Sequence, residues 1–198
     1  MSKILPQYEN PIDNFNIYLS NELCPLFKKM NFTPNGITTL SLLFGLISIV
    51  LLWKGYILAF AITYYISYFF DCMDGHYARK YKMVSKGGDI YDHVKDVSVN
   101  ILLIFVVIYK YIIRKKIDSL KLLLLFLFIV SITILMTAHL GCQELLYPKK
   151  DESGTLNFSK QLCFGDPEKT IRFTRFFGCG SWIVLVILSI VWLDNSAK

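Results

Sequence analysis

Four aspartates stand at two helical spacings. Asp71 and Asp74 are three residues apart, and Asp92 and Asp96 are four apart. In a helix either spacing puts both carboxylates on one face. Each pair sits at the end of an apolar run: "ILAFAITYYISYFF" precedes the first and "VSVNILLIFVVIYKYII" follows the second. A short basic connection joins the two, so the helices must be antiparallel neighbours with four acids near one end. Left alone, such groups repel one another. One or two hard divalent cations would relieve the repulsion, and carboxylate oxygens are the donors that Mg²⁺ and Mn²⁺ prefer. The competing reading is a solvated, charged flank. It suits Asp89, but for the other four it requires a coincidence of register across two helices.

Small residues add a second constraint. Gly75 follows Asp74 inside a helix, where glycine costs about 1 kcal/mol relative to alanine. Ala78 lies one turn from Asp74, and Gly87 and Gly88 open the next helix. Small residues let a ligand or a facing helix approach the backbone. Arg79 presents a fork of donors suited to phosphate oxygens. Carboxylates, a bare backbone and an arginine together suggest a diphosphate ligand; close helix packing alone would also explain the glycines.

The elements that must carry these residues follow from the apolar runs. More than half of the 198 residues are apolar, 54%, and mean hydropathy is +0.46, more than a soluble domain of this length can bury. Residues 11–30 place Ile12, Phe15, Leu19, Leu23, Leu26 and Phe27 at helical spacing but are too polar to span; they predict an interfacial helix. Spans are predicted over 36–53, from 57 into the acid stretch, from about Gly88 to Ile113, through "LKLLLLFLFIVSITILMTAHL", and over 170–193. Residues 148–165, with "KKDESG" at their centre, read as a loop, and Asp166-Pro167-Glu168 reads as a helix start. The expectation is an all-α integral membrane bundle of five spans, with residues 1–35 as an N-terminal segment and 36–198 as the transmembrane catalytic domain. The net charge of +6 is spread along the flanks of these runs, which argues against a nucleic-acid partner and for membrane lipids. The positive-inside rule places the N-terminus, and with it the acid stretch, on the cytosolic side. No signal-peptide core precedes the first span. The five cysteines lack metal-ligand spacing and read as free thiols.

Asp71-x2-Asp74-Gly75-x2-Ala78-Arg79-x8-Gly88-x3-Asp92-x3-Asp96 resembles, without gap or substitution, the signature of the CDP-alcohol phosphotransferase family. "TPNGIT" before the first span is similar to that family's nucleotide-side motif. Members typically have six spans, one more than is legible here. The resemblance implies that an alcohol hydroxyl attacks the phosphorus of a CDP-linked donor and that CMP leaves. It implies two divalent cations, Mg²⁺ or Mn²⁺, among Asp71, Asp74, Asp92 and Asp96, with Asp96 also the general base. Gly75, Ala78, Arg79 and Ser85 would contact the CDP part, with Asn35 and Thr38 near the nucleotide. The short chain resembles the branch that joins CDP-diacylglycerol to a small polar alcohol. "YDHVKD" is similar to the aminoalcohol branch, and "DGHYAR" to phosphatidylinositol synthases. A homodimer is compatible with the resemblance. Arg172 and Arg175 either bind an acceptor phosphate or anchor the membrane interface. His139 and Glu144 either line the acceptor pocket or are buried and satisfied; His76 and His93 occupy variable positions and receive no role. The alternative outside enzymology is a cation-binding membrane protein, which needs the acids but not Gly75, Ala78 and Arg79.

Overall fold

The computed structural model describes residues 4–147 and 157–196. Lys3, Lys198 and the "KKDESG" centre of the expected loop lie outside these residues. Among those described there are helices and turns and no strand. The helices are α1 (Pro11–Lys29), α2 (Pro34–Lys54), α3 (Ile57–Lys80), α4 (Lys86–Val107), α5 (Ser119–Leu146), α6 (Asn157–Gln161), α7 (Pro167–Thr174) and α8 (Cys179–Ser196). A π-helical stretch, Ile108–Arg114, extends α4, and a 3₁₀ turn, Arg175–Phe177, follows α7.

Among the described residues, four stretches are long and apolar enough to cross a membrane: Pro34–Lys54, Lys86–Arg114, Ser119–Leu146 and Pro167–Ser196. The fifth long helix, α3, is apolar only over residues 57–70, about 14 residues or roughly 21 Å, short of the ~30 Å hydrocarbon core. Its remainder carries Asp71, Asp74, Arg79 and Lys80. The expected final span over 170–193 is not one regular helix. α7 is capped by Asp166, whose Oδ1 accepts from the Glu168 N–H at 3.0 Å, but extended backbone at Gly178 separates the 3₁₀ turn from α8.

By its contacts the chain divides into two compact units. Of the described residues, one comprises 16–119 and 187–196, and the other 4–15, 120–147 and 157–186. In the first, Thr33 caps α2 by accepting from the Gly36 N–H, with Pro34 in the first turn as helix starts favour. Gly55 ends α2 at φ 88°, a conformation that side chains disfavour. Small residues then let three helices close up. Ser41 Oγ donates to the Ser67 carbonyl and Ser67 Oγ to the Ser41 carbonyl, at 2.9 and 2.7 Å. A Cβ on Gly45 would meet Ser67 of α3 at 3.1 Å and Val99 of α4 at 3.2 Å.

Residues 11–29 form the expected helix, with a largely polar face turned inward. The buried residues are Asp13, Asn16, Ser20 and Cys24, whereas Phe15, Tyr18 and Leu26 are exposed. An apolar outer face and a polar inner one suit a helix lying in a membrane interface. Cys24 packs with Ile37, Met73 and Tyr77, and burial pushes its thiol above the usual range.

In the second unit, Ile4, Tyr8, Cys142, Cys163 and Ile171 form the core. Cys142 and Cys163 are joined by a disulfide, so the expectation of five free thiols fails for this pair. Sequence spacing gave no sign of it because the two meet only when residues 157–163 fold back on α5. A Cβ on Gly141 would lie 1.9 Å from the Ser159 carbonyl oxygen, so glycine is what permits that approach. Among the described residues, Cys24, Cys72 and Cys179 are in no disulfide.

Candidate functional site

The acids lie where α3 ends and α4 begins. α3 presents Asp71 and Asp74 on one face. After the connection at 81–85, Ser85 caps α4 by accepting from the Gly88 N–H at 3.1 Å. A Cβ on Gly88 would meet Asn35 Oδ1 and Ser85 Oγ, each at 3.0 Å. The start of α4 is therefore pressed against the start of α2, and this fixes where Asp92 lies.

Asp71, Asp74 and Asp92 each offer one oxygen within 4.8 Å of the others. Asp74 is buried, and its Oδ2 accepts from Thr38 Oγ1 at 2.6 Å. Thr38 also lies 3.1 Å from the Pro34 carbonyl; its single proton goes to the closer, charged acceptor. Asp71 and Asp92 are partly exposed, so the triad opens to one side. Three carboxylates without sulfur or imidazole suit a hard cation that takes oxygen ligands, so the residues fit a divalent metal.

The structure does not bring Asp96 into this triad. Asp96 Oδ1 lies 2.8 Å from the Nζ of Lys95, and its side chain is 51% exposed. The same ammonium contacts Asp71 Oδ1, Asp92 Oδ1 at 3.1 Å and Ser41 Oγ at 3.3 Å. Lys95 is the residue at this site that reading the motif missed. A signal was present: Lys95, Val99, Leu103 and Val106 form the buried stripe of α4, so the lysine occupies a position that helical periodicity assigns to the interior.

The remaining expected residues are distributed as follows. Gly75 makes room for Arg79, whose Nη1 would lie 3.2 Å from a Cβ there, so the guanidinium runs back along its own helix. Asn35, Arg79 and Ser85 are exposed and Ala78 half-buried. His76 is buried and faces Asn21 Oδ1 at 2.8 Å, and His93 bonds the Asp89 carbonyl.

In the other unit, His139 is buried, with Gln143 Nε2 at 2.8 Å, and Glu144 is buried beside it in sequence. Arg172 is exposed. Arg175 donates from Nη1 to the Gln7 carbonyl and stacks on Phe176, so it secures the N-terminal segment.

Residues 31–164 match the family model described as CDP-alcohol phosphatidyltransferase. No curated protein and no solved structure matches the chain.

Proposed function

The chain belongs to the CDP-alcohol phosphatidyltransferase family, and on that premise we propose that it transfers a phosphatidyl group from CDP-diacylglycerol to the hydroxyl of a small polar alcohol. The observation that carries the reading is the convergence of Asp71, Asp74 and Asp92 from two helices where the apolar part of α3 ends. There a lipid donor keeps its tails in the bilayer while its diphosphate reaches the acids.

The new bond joins the acceptor oxygen to the β-phosphorus of the donor. The phosphoanhydride bond to CMP breaks, and the hydroxyl proton passes to a carboxylate. Asp71, Asp74 and Asp92 hold Mg²⁺ or Mn²⁺, with Thr38 fixing the orientation of Asp74. When bound, the metal stabilises charge on the diphosphate and on the departing CMP. Asp96, with an exposed carboxylate one turn beyond Asp92, takes the proton; proximity compensates for its weak basicity. Arg79 and Asn35 are exposed where the CDP part would approach, while Gly75 and Ala78 keep the face of α3 low and Ser85 sets the start of α4. The site faces the cytosol, which holds CDP-linked donors, so Met83→Cys should be labelled from that side; labelling from the opposite side alone would reverse the topology.

The deciding experiment supplies purified protein with CDP-diacylglycerol and inositol, serine, glycerol 3-phosphate or inositol phosphate. A parallel arm supplies CDP-choline with diacylglycerol. CMP release is expected in the first set, with Mg²⁺ or Mn²⁺ and not after chelation. Release only from CDP-choline would move the chain to the aminoalcohol branch. Release undiminished by a chelator would remove the metal from the mechanism.

A further inference from the structure

We propose that Lys95 is a built-in cation: its ammonium permanently fills one of the two cation positions the acid motif offers, so the chain takes up one divalent ion instead of two. The proposal rests on the metal-binding reading above.

The ammonium is held as an ion would be. Lys95 is 3% exposed, and its ammonium is surrounded by oxygens, namely Asp71, Asp92 at 3.1 Å, Asp96 at 2.8 Å and Ser41 at 3.3 Å. Ser41 is set to accept, because its own proton goes to the Ser67 carbonyl. That leaves its lone pairs for Lys95. A buried ammonium needs this degree of pairing to offset its desolvation. The cradle is built from three helices: Ser41 from α2, Asp71 from α3, and Asp92 and Asp96 from α4.

The two cation positions share Asp71 and Asp92 and differ in the rest. Asp74, braced by Thr38, completes the open triad. Asp96 completes the filled position and lies outside the triad. A second divalent ion at the Asp96 side would have to expel a buried lysine or sit against its charge in a medium of low dielectric, where like charges repel strongly. Lys95 thus supplies a fixed positive charge beside Asp96 that does not depend on metal concentration.

The test counts Mn²⁺ bound to the full-length protein in nanodiscs, by electron paramagnetic resonance of free Mn²⁺ with elemental analysis after dialysis. Wild type is expected to bind one ion per chain with a hyperbolic isotherm. Lys95→Met and Lys95→Gln are expected to bind two, with thermal melts confirming that each variant is folded. Asp96→Asn in the wild-type background is expected to keep one ion, because Asp96 holds the lysine and not the metal. Two ions on wild type would overturn the proposal while leaving the metal reading intact. So would one ion on both folded Lys95 variants, or loss of the ion in Asp96→Asn. If neither Lys95 variant folds, the counts on wild type and Asp96→Asn still decide it. No ion on any of the proteins would overturn the metal reading itself.

Discussion

Two clusters of acid and lysine lie at opposite ends of the helical run from Lys86 to Arg114, and their charge ratios are inverted. At the start, one ammonium, Lys95, faces Asp71, Asp92 and Asp96. At the end, one carboxylate, Asp194, faces Lys110 at 3.3 Å and Lys115 at 3.0 Å and also accepts from Tyr111 at 3.1 Å. Lys95 and Tyr111 are 16 residues apart, about 24 Å of helix. The first cluster keeps an excess of negative charge and an open side, so it can take a further cation. The second is closed: its carboxylate is held by Lys110, Lys115 and Tyr111, and Lys110 also donates to the Leu52 carbonyl at 2.9 Å. On the proposed function, chemistry belongs to the cluster whose charge is unbalanced.

The largest expected effect sharpens the first cluster. Asp96→Asn keeps size and polarity but removes the basic lone pair, so turnover should fall by roughly the 10²–10⁴-fold typical of a lost general base, with CDP-diacylglycerol affinity little changed. Initial rates measured beside donor binding check this. Turnover within a few-fold of wild type would mean that another group takes the proton.

Thr38→Val is next. It leaves Asp74 buried without the 2.6 Å hydrogen bond that orients it. Mn²⁺ affinity should drop by about 10–100-fold, the usual cost of losing a partner that braces a metal ligand. An unchanged Mn²⁺ isotherm would show that helix packing alone positions Asp74.

The smallest effect is at the far cluster. Asp194→Asn strands two lysines, but Lys115 is 28% exposed and can turn to water. A loss of about 1–3 kcal/mol is expected, below the 3–5 of a fully buried pair. The melting temperature in detergent should fall while the Mn²⁺ count stays the same. A change in that count would mean that the two ends are coupled and that the contrast between them fails.

Much of the protein was legible without coordinates because the signals are periodic and local. The apolar runs fix the long helices, since a span needs roughly 20 residues without charge. The aspartate spacing fixes which acids share a face, and the Asp166-Pro167 cap fixes a helix start. Local patterns cannot say what a side chain meets across helices. α1 shows an amphipathic period either way, but only packing decided that its polar face turns inward. Spacing grouped four aspartates; tertiary structure set Asp71, Asp74 and Asp92 as a triad and put the Lys95 ammonium against Asp71, Asp92 and Asp96, where three carboxylates and a preset serine hydroxyl compensate its desolvation. The Cys142–Cys163 disulfide and the closed cluster at Asp194 likewise join residues far apart in sequence, and no local pattern records such a distance.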